Sequence, residues 1–392
     1  MNNDRLRILD IVNTDHAALN FLAFRVGWMN RNTEFQNDIV CSPGPHLRKL
    51  GMRGAVVTPM DIPRGLSPVN LTKLLQDMVK FLRANHYTIV HTHNSVTGAV
   101  GRIAARIARV PLIIHTTHGF HFHENMGRLE RIPYITAERW LSKCCDVLLC
   151  QNRQELDDVR RLGLWPKQGV YHVGNGINMN RFKRRASAPH NERPVILCVA
   201  RFEPVKNHGQ LFEALRILRQ QYNHNPQVLL VGDGPLRARY ETQLREMGLA
   251  ENVQILGYRY DIPELNADAD IAVLTSVKEG IPRSVMEAMA SGVPVVATDV
   301  KGTREVITDG HTGCLVQLGD AAGLAAKLAW LIDRPARREE MGNRGAEHIR
   351  RHFDEERVVE RLAWIYRSAL HARGLAPARH TDPTPLHAEN RA

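Results

Sequence analysis

The chain has 392 residues, 43% of them apolar and 24% charged, and a formal net charge of +11. That length suits two domains that each bury a core, and no run reaches the ~20 apolar residues needed to span a bilayer. The N-terminus lacks the apolar segment of a secretion signal, and neither zinc-finger spacing nor an RNP-like aromatic stripe points to nucleic acid, so a cytoplasmic protein without a specific nucleic-acid partner is expected.

Strand-like and helix-like runs alternate along the chain, the pattern of an α/β protein with parallel sheets. In the first half, strands are expected at 7–12, 39–41, 55–58, 88–91, 112–115, 147–149 and 170–173. Helices between them are expected at 19–29, 71–84, 97–108 and 132–143. The stretch 181–194, with prolines and arginines, reads as a linker. A second series of strands follows at 195–199, 228–231, 253–256, 271–276 and 293–298, with helices at 208–221, 236–247, 282–291 and 321–332. An amphipathic helix closes the pattern at 355–374, and residues 375–392 have the composition of a disordered tail. The economical reading is two Rossmann-like domains facing across a cleft, 1–180 and 195–354.

The six cysteines, Cys41, Cys144, Cys145, Cys150, Cys198 and Cys314, show no C-x-x-C pair and no zinc spacing; buried reduced thiols are expected. His91 and His93 end one strand. His93 either touches an acceptor or satisfies local backbone groups. Arg102, Arg106 and Arg109 share one helical face by spacing. That face is either a solvated side or a contact for phosphate-bearing lipid headgroups at an anionic membrane. His115, His118, His121 and His123 cluster beyond another strand, but their spacing is not that of a helical metal site. No metal site is expected.

In the second half, Arg201 and Lys206 lie five positions apart beyond a strand end. There they can grip two phosphates and stabilise charge growing on a leaving diphosphate. Gly232 and Gly234 form a strand-to-helix turn that permits close backbone approach, and Tyr258 follows the next strand. The segment Glu279-Gly280-Ile281-Pro282, and onward to Glu287, is a strand–loop–helix unit. Pro282 suits a first helical position and Gly292 a helix end. The loop lies where open α/β sheets bind ligands, and the N–H groups of the first turn favour an anion. Two glutamates beside such an anion make sense as acceptors for sugar hydroxyls.

At Glu279 to Asp299 the chain resembles the retaining glycosyltransferases of family 4, which have the GT-B fold. Their signature is two glutamates flanking seven residues, then Ala-Met-Ala-x-Gly-x-Pro-Val-Val. The resemblance implies that Glu279 holds hydroxyls of the donor sugar and Glu287 the ribose of the nucleotide. Arg201 and Lys206 match the family's Gly-Arg-Leu-x-x-x-Lys-Gly motif, with Ala200 and Asn207 in place of its glycines. Gly232 and Gly234 match the turn lining the diphosphate pocket, and Tyr258 stands where the base is read. His118 fits the family's Thr-x-His-Gly-like sequence, which puts it on the reacting sugar. Asn175 belongs to a hinge-side motif in which Asn178 replaces the usual Asp. Thr14 stands in a segment without the paired glycines that many members carry there. Ser42 to Pro45, Gly65 to Pro68 and His118 to Phe120 resemble the exopolysaccharide and capsule subgroup.

The resemblance spans about residues 5 to 370. It implies transfer of a sugar from a nucleotide diphosphate sugar, with no metal cofactor, to a glycan, lipid-linked or small-molecule acceptor. A peripheral position at the inner membrane face goes with the lipid-linked case. Two other classes stay open at this point: a non-catalytic sugar-nucleotide-binding subunit and a nucleotide-sugar epimerase.

Overall fold

The computed structural model describes residues 5–62, 67–183, 191 and 193–375. Most of the expected linker, residues Gly65 and Leu66, and the expected tail beyond residue 375 lie outside the described residues. The chain divides into two compact units, one running to Gly174 and resuming at Glu356, the other spanning Asn175–Glu355.

In the first unit the order is β1 (Leu6–Thr14), α1 (Asp15–Phe21), α2 (Ala23–Asn32), β2 (Phe35–Ser42), α3 (Leu47–Gly51), β3 (Val57–Pro59), α4 (Pro68–Asn85), β4 (Ile89–His93), α5 (Ser95–Ile107), β5 (Leu112–Thr117), α6 (Arg128–Ser142), β6 (Val147–Cys150), α7 (Arg153–Leu162) and β7 (Gly169–His172). The strands pair in parallel in the order β3-β2-β1-β4-β5-β6-β7. The strand order therefore reverses between β1 and β4, which makes the crevice beyond their carboxyl ends the ligand position of the fold.

The second unit holds β8 (Val195–Val199), α8 (His208–Tyr222), β9 (Gln227–Val231), α9 (Arg237–Glu246), β10 (Val253–Gly257), α10 (Ile262–Asp268), β11 (Ile271–Leu274), α11 (Arg283–Ala290), β12 (Val295–Thr298), α12 (Lys301–Val306), β13 (Cys314–Val316), α13 (Ala321–Ile332) and α14 (Pro335–His352). Its sheet is also parallel, in the order β10-β9-β8-β11-β12-β13, and reverses between β8 and β11. Helix α15 (Glu355–His371) then packs Val359, Leu362, Ile365 and Tyr366 against Ile8, Ile89, Ile114 and Val147 of the first sheet. The expected α/β class with two Rossmann-like units is the observed one.

Three local differences have physical causes. The single helix expected at 19–29 is broken at Leu22, whose φ of −113° separates α1 from α2. The first sheet's strands run further than their apolar cores, because buried polar residues extend them: His93 lies inside β4, and Thr116 and Thr117 inside β5. Arg102, Arg106 and Arg109 do not form one solvated face. Arg102 is fully buried and forks onto Glu138 of α6 at 3.1 Å, while Arg109 lies beyond α5 with a φ of 59°. Among the three, Arg106 and Arg109 are exposed.

Candidate active site

Each sheet carries a polar constellation at its switch point. In the second unit, the loop after β8 is stitched to the loops after β9 and β11. Phe202 N–H donates to Asp233 O at 3.0 Å, and Leu236 N–H donates to Phe202 O at 3.1 Å. Val277 N–H donates to Val205 O at 2.8 Å, and the Thr275 hydroxyl donates to Lys206 O and Asn207 O at 3.1 and 2.9 Å. Only glycine fits the turn: a Cβ on Gly232 would lie 2.1 Å from Ala200 O, and one on Gly234 2.6 Å from Phe202 O.

This stitching places Lys206 Nζ 2.6 Å from Glu279 Oε1, so the cation and the first glutamate of the signature form one ion pair. Arg201 is 59% exposed and pairs with Glu203. Gly280 O sits 2.3 Å from where a Cβ of Gly302 would be, so α12 closes on that peptide. Ile281 is buried. Pro282 is the N-cap of α11 rather than its first residue, because its ψ of 108° keeps it extended. The N–H groups of Arg283, Ser284 and Val285 precede the first intrahelical bond, from Met286 N–H to Pro282 O at 3.2 Å, and form the open first turn. Tyr258 is exposed just beyond β10.

Glu287 belongs to a second pair. Arg283 Nε lies 3.7 Å from its Oε1, and Arg283 Nη1 donates to Gly176 O at 3.0 Å. Burial raises the Glu287 carboxyl, against the pull of Arg283 and Arg181. Glu355 is pushed up to about 7, first by burial and then by Asp354 and Glu287. Asn175 turns its amide oxygen onto Gly176 N–H at 2.9 Å. Arg283, Arg181 and Glu355 were not singled out from the sequence. Arg283 had one signal, its place four residues before Glu287 on a helix.

In the first unit the constellation is buried. Asp10, in mid-β1, pairs with Arg25 of α2 and accepts from the Asn37 amide at 3.0 Å. Burial alone would raise the Asp10 carboxyl, but Arg25, His93 and Asn37 bring it to about 2. An ionised Asp10 can face only a protonated nitrogen, so His93 Nε2, 3.2 Å away, carries the proton and donates. His93 Nδ1 then accepts from His118 Nε2 at 3.1 Å, which leaves His118 Nδ1 with its lone pair. Burial, reinforced by His93 and Arg25, holds His118 down to about 3, against a hydrogen bond with the Gln151 side chain. His118 is therefore a neutral ring near physiological pH.

Thr14 uses its hydroxyl to cap α1, accepting from Ala17 N–H at 3.1 Å. The four clustered histidines separate in space: His115 meets the Thr92 hydroxyl at 2.9 Å, and His121 packs at a tilt against Tyr134 with centroids 4.4 Å apart. Metal-capable atoms do converge elsewhere, at Asp10, His91 and His93. Their lone pairs are already engaged. His91 meets the Tyr366 and Thr116 hydroxyls at 2.6 Å each, and Asp10 holds Arg25, whose guanidinium would repel a cation. The trio is a hydrogen-bonded core of the first constellation.

Two parallel Rossmann-like units, each with polar loops at its switch point and one carrying paired cations and glutamates, define a two-domain ligand-binding α/β enzyme. The comparisons narrow this. Residues 179–348 match the family described as "Glycosyl transferases group 1", and residues 30–176 match "Glycosyl transferase 4-like domain". The chain is 33% identical to the glycosyltransferase EpsD of Bacillus subtilis over 315 residues, 76% of this chain and 81% of that one. It is 29% identical to the UDP-Gal:alpha-D-GlcNAc-diphosphoundecaprenol alpha-1,3-galactosyltransferase of Escherichia coli, over 77% of this chain and 81% of that one. Among solved structures, HepE of Anabaena in complex with UDP and glucose superposes with a TM-score of 0.79 at 21% identity, over 93% of this chain and all of HepE (100%). The chain belongs to the group 1, family 4 glycosyltransferases, retaining enzymes of GT-B fold that use nucleotide-sugar donors.

Proposed function

We propose that the chain transfers a sugar, with retention, from a nucleoside diphosphate sugar to a glycan or lipid-linked acceptor in surface polysaccharide assembly, working peripherally at the inner membrane face. The observation that carries the reading is the Lys206–Glu279 pair held at the second switch point by three stitched loops. It puts a cation for a diphosphate and a carboxylate for sugar hydroxyls within one hydrogen bond. In this reading Arg201 leaves Glu203 to grip a phosphate, and Lys206 neutralises the other. The open N–H groups at Arg283 to Val285, with Gly280, Ile281 and Pro282 shaping the approach, face the leaving diphosphate. Gly232 and Gly234 line its pocket.

Glu287, oriented by Arg283, accepts the ribose hydroxyls, and Tyr258 covers the base. The relative that acts on a diphosphoundecaprenol glycan supports a lipid-linked acceptor, and the relative solved with UDP supports a uridine donor.

The acceptor hydroxyl attacks the anomeric carbon from the face the diphosphate is leaving. The new glycosidic bond forms as the carbon–phosphate oxygen bond breaks, and the departing phosphate oxygen takes the acceptor's proton. Lys206 and Arg201 stabilise the charge on that oxygen. Thr14, His93 and Asn175 belong to the acceptor side of the proposal, and His118 to the catalytic group at the reacting sugar. Neutral His118 meets a hydroxyl of the reacting sugar, and Asp10 and His93 fix its orientation. With cations in the role a divalent metal fills elsewhere, turnover proceeds in the presence of chelator.

The test is a panel of nucleotide sugars screened by thermal shift, since a tight ligand raises apparent stability by mass action. Diphosphate release with lipid-linked and soluble acceptors, with and without chelator, then completes it. Turnover with a soluble small metabolite alone would move the acceptor class, and loss of turnover on chelation would remove the metal-free mechanism.

A further inference from the structure

Helix α6 wears its apolar side outward. Leu129, Ile132, Pro133, Thr136 and Trp140 are spaced i, i+3, i+4, i+7 and i+11, which lays them along one stripe. Such a stripe ordinarily faces a core. Here Leu129 is 82%, Ile132 54% and Trp140 58% exposed, and Pro133 and Thr136 are exposed with them. The orientation is held from beneath, where the buried guanidinium of Arg102 forks onto Glu138 on the opposite side of the helix. Breaking that pair would strand a buried charge, so the helix cannot roll to hide its stripe.

Cations border the stripe. Arg128 and Arg139 lie along one flank by helical position and Lys143 follows at the end, all three exposed. Arg139 is kept at the edge by its bond from Nε to Leu162 O at 2.7 Å. Of the two carboxylates on α6, Glu138 is neutralised by Arg102, leaving Glu130 exposed. The neighbouring α5 ends in exposed Arg106 and Ile107.

We propose that α6 is an interfacial helix that sets Leu129, Ile132 and Trp140 into the headgroup boundary of an anionic bilayer, with Arg128, Arg139 and Lys143 meeting lipid phosphates. Apolar side chains with a tryptophan on one face, flanked by cations, are what an anionic interface binds. A second copy of the chain fits less well. A two-fold contact would set the same cations of both copies against one another. The purpose of the surface rests on the reading of a membrane-borne acceptor, but its test does not use activity.

The experiment is flotation of the full chain with vesicles of phosphatidylglycerol and phosphatidylcholine, or phosphatidylcholine alone, at low and high salt, with uridine diphosphate affinity measured in parallel. Binding to the anionic vesicles at low salt, weakened at high salt, is expected, because exposed charges are screened over about 8 Å at physiological ionic strength. Leu129→Ser combined with Trp140→Ser should cut partitioning about a hundredfold, roughly tenfold per apolar anchor removed. Arg128→Glu combined with Lys143→Glu should abolish the preference for the anionic lipid. Both variants should keep the parent melting temperature, as changes of exposed residues. A parent protein that does not float with anionic vesicles overturns the proposal. So does a Leu129→Ser/Trp140→Ser protein that floats as well as the parent, or a parent dimer that this variant dissolves. Absence of diphosphate binding with vesicle binding intact would instead count against the donor site and support the helix.

Discussion

The two switch points use charge in opposite ways. In the second unit the cations reach solvent, Arg201 being 59% and the Lys206 side chain 22% exposed, while their loop partners Glu203 and Glu279 are 29% and 11% exposed. In the first unit Asp10 is fully buried and His93 2% exposed, so its charge acts on neighbouring rings rather than on solvent. An open pair can exchange its partner for a ligand's phosphate at little cost, because exposed ion pairs contribute little stability. A buried pair cannot, because removing one partner strands the other. In the proposed reading one constellation exchanges its partners for a ligand and the other holds a shape and a tautomer.

The sharpest way to break this contrast is Asp10→Asn. It leaves Arg25 buried without its counter-charge and should cost about 3–5 kcal/mol of stability, read as a fall in the urea midpoint of the first unit's unfolding. The sign with pH is fixed. The folded carboxyl at about 2 lies below its ordinary value of 3.8, so its contribution is present above pH ~4 and is lost as pH falls through 2. The parent should thus lose this advantage over Asp10→Asn only in strong acid.

Lys206→Ala, by contrast, removes a pair that keeps some exposure, 22% on the lysine and 11% on Glu279, and should cost about 1–2 kcal/mol, less than the loss at Asp10. It should lower turnover by about 10²–10³, the effect of removing one oxyanion-stabilising group. Steady-state kinetics and thermal melting on the same preparation separate the two effects.

A smaller effect sharpens the first unit alone. Glu155 of α7 accepts from Thr117 at 2.9 Å and from Gln151 N–H at 3.2 Å, and burial pushes its carboxyl up to about 7. A folded value above the ordinary 4.5 means that its contribution is full below pH 4.5 and is lost as pH rises through 7. Glu155→Gln should therefore flatten the loss of stability between pH 5 and 9, by about 2–3 kcal/mol at the alkaline end. Denaturant titrations at the two pH values measure it.

The positions of the second unit's candidate residues were legible because they are local in the chain. Arg201 and Lys206 follow one strand, Gly232 and Gly234 another, and Glu279 a third, with Glu287 on the helix after it, so chain order alone put all but Glu287 at a strand's carboxyl end. Strand β8 is at the residues expected for it, 195–199. The first unit's site joins positions far apart in the chain. Asp10 meets Arg25, His93 and, through it, His118, and no spacing rule connects them. The one local sign was a charged residue in the middle of an apolar strand. Arg102 misled for the same reason: its helical spacing matched Arg106, while the residue that buries it, Glu138, lies 36 positions away. Glu355 and Arg181 were out of reach likewise, since each approaches Glu287 from another part of the chain.

The central claim, that the second unit divides a nucleotide sugar between its two carboxylates, meets its most direct test in calorimetry with uridine diphosphate alone. Glu287→Ala should weaken that ligand tenfold or more, the worth of about 1.5–3 kcal/mol for a hydrogen bond to a charged group. Glu279→Ala, with no sugar present to lose, should leave the affinity within about threefold, which is under 1 kcal/mol. Equal weakening in the two variants, or none in either, would contradict the account.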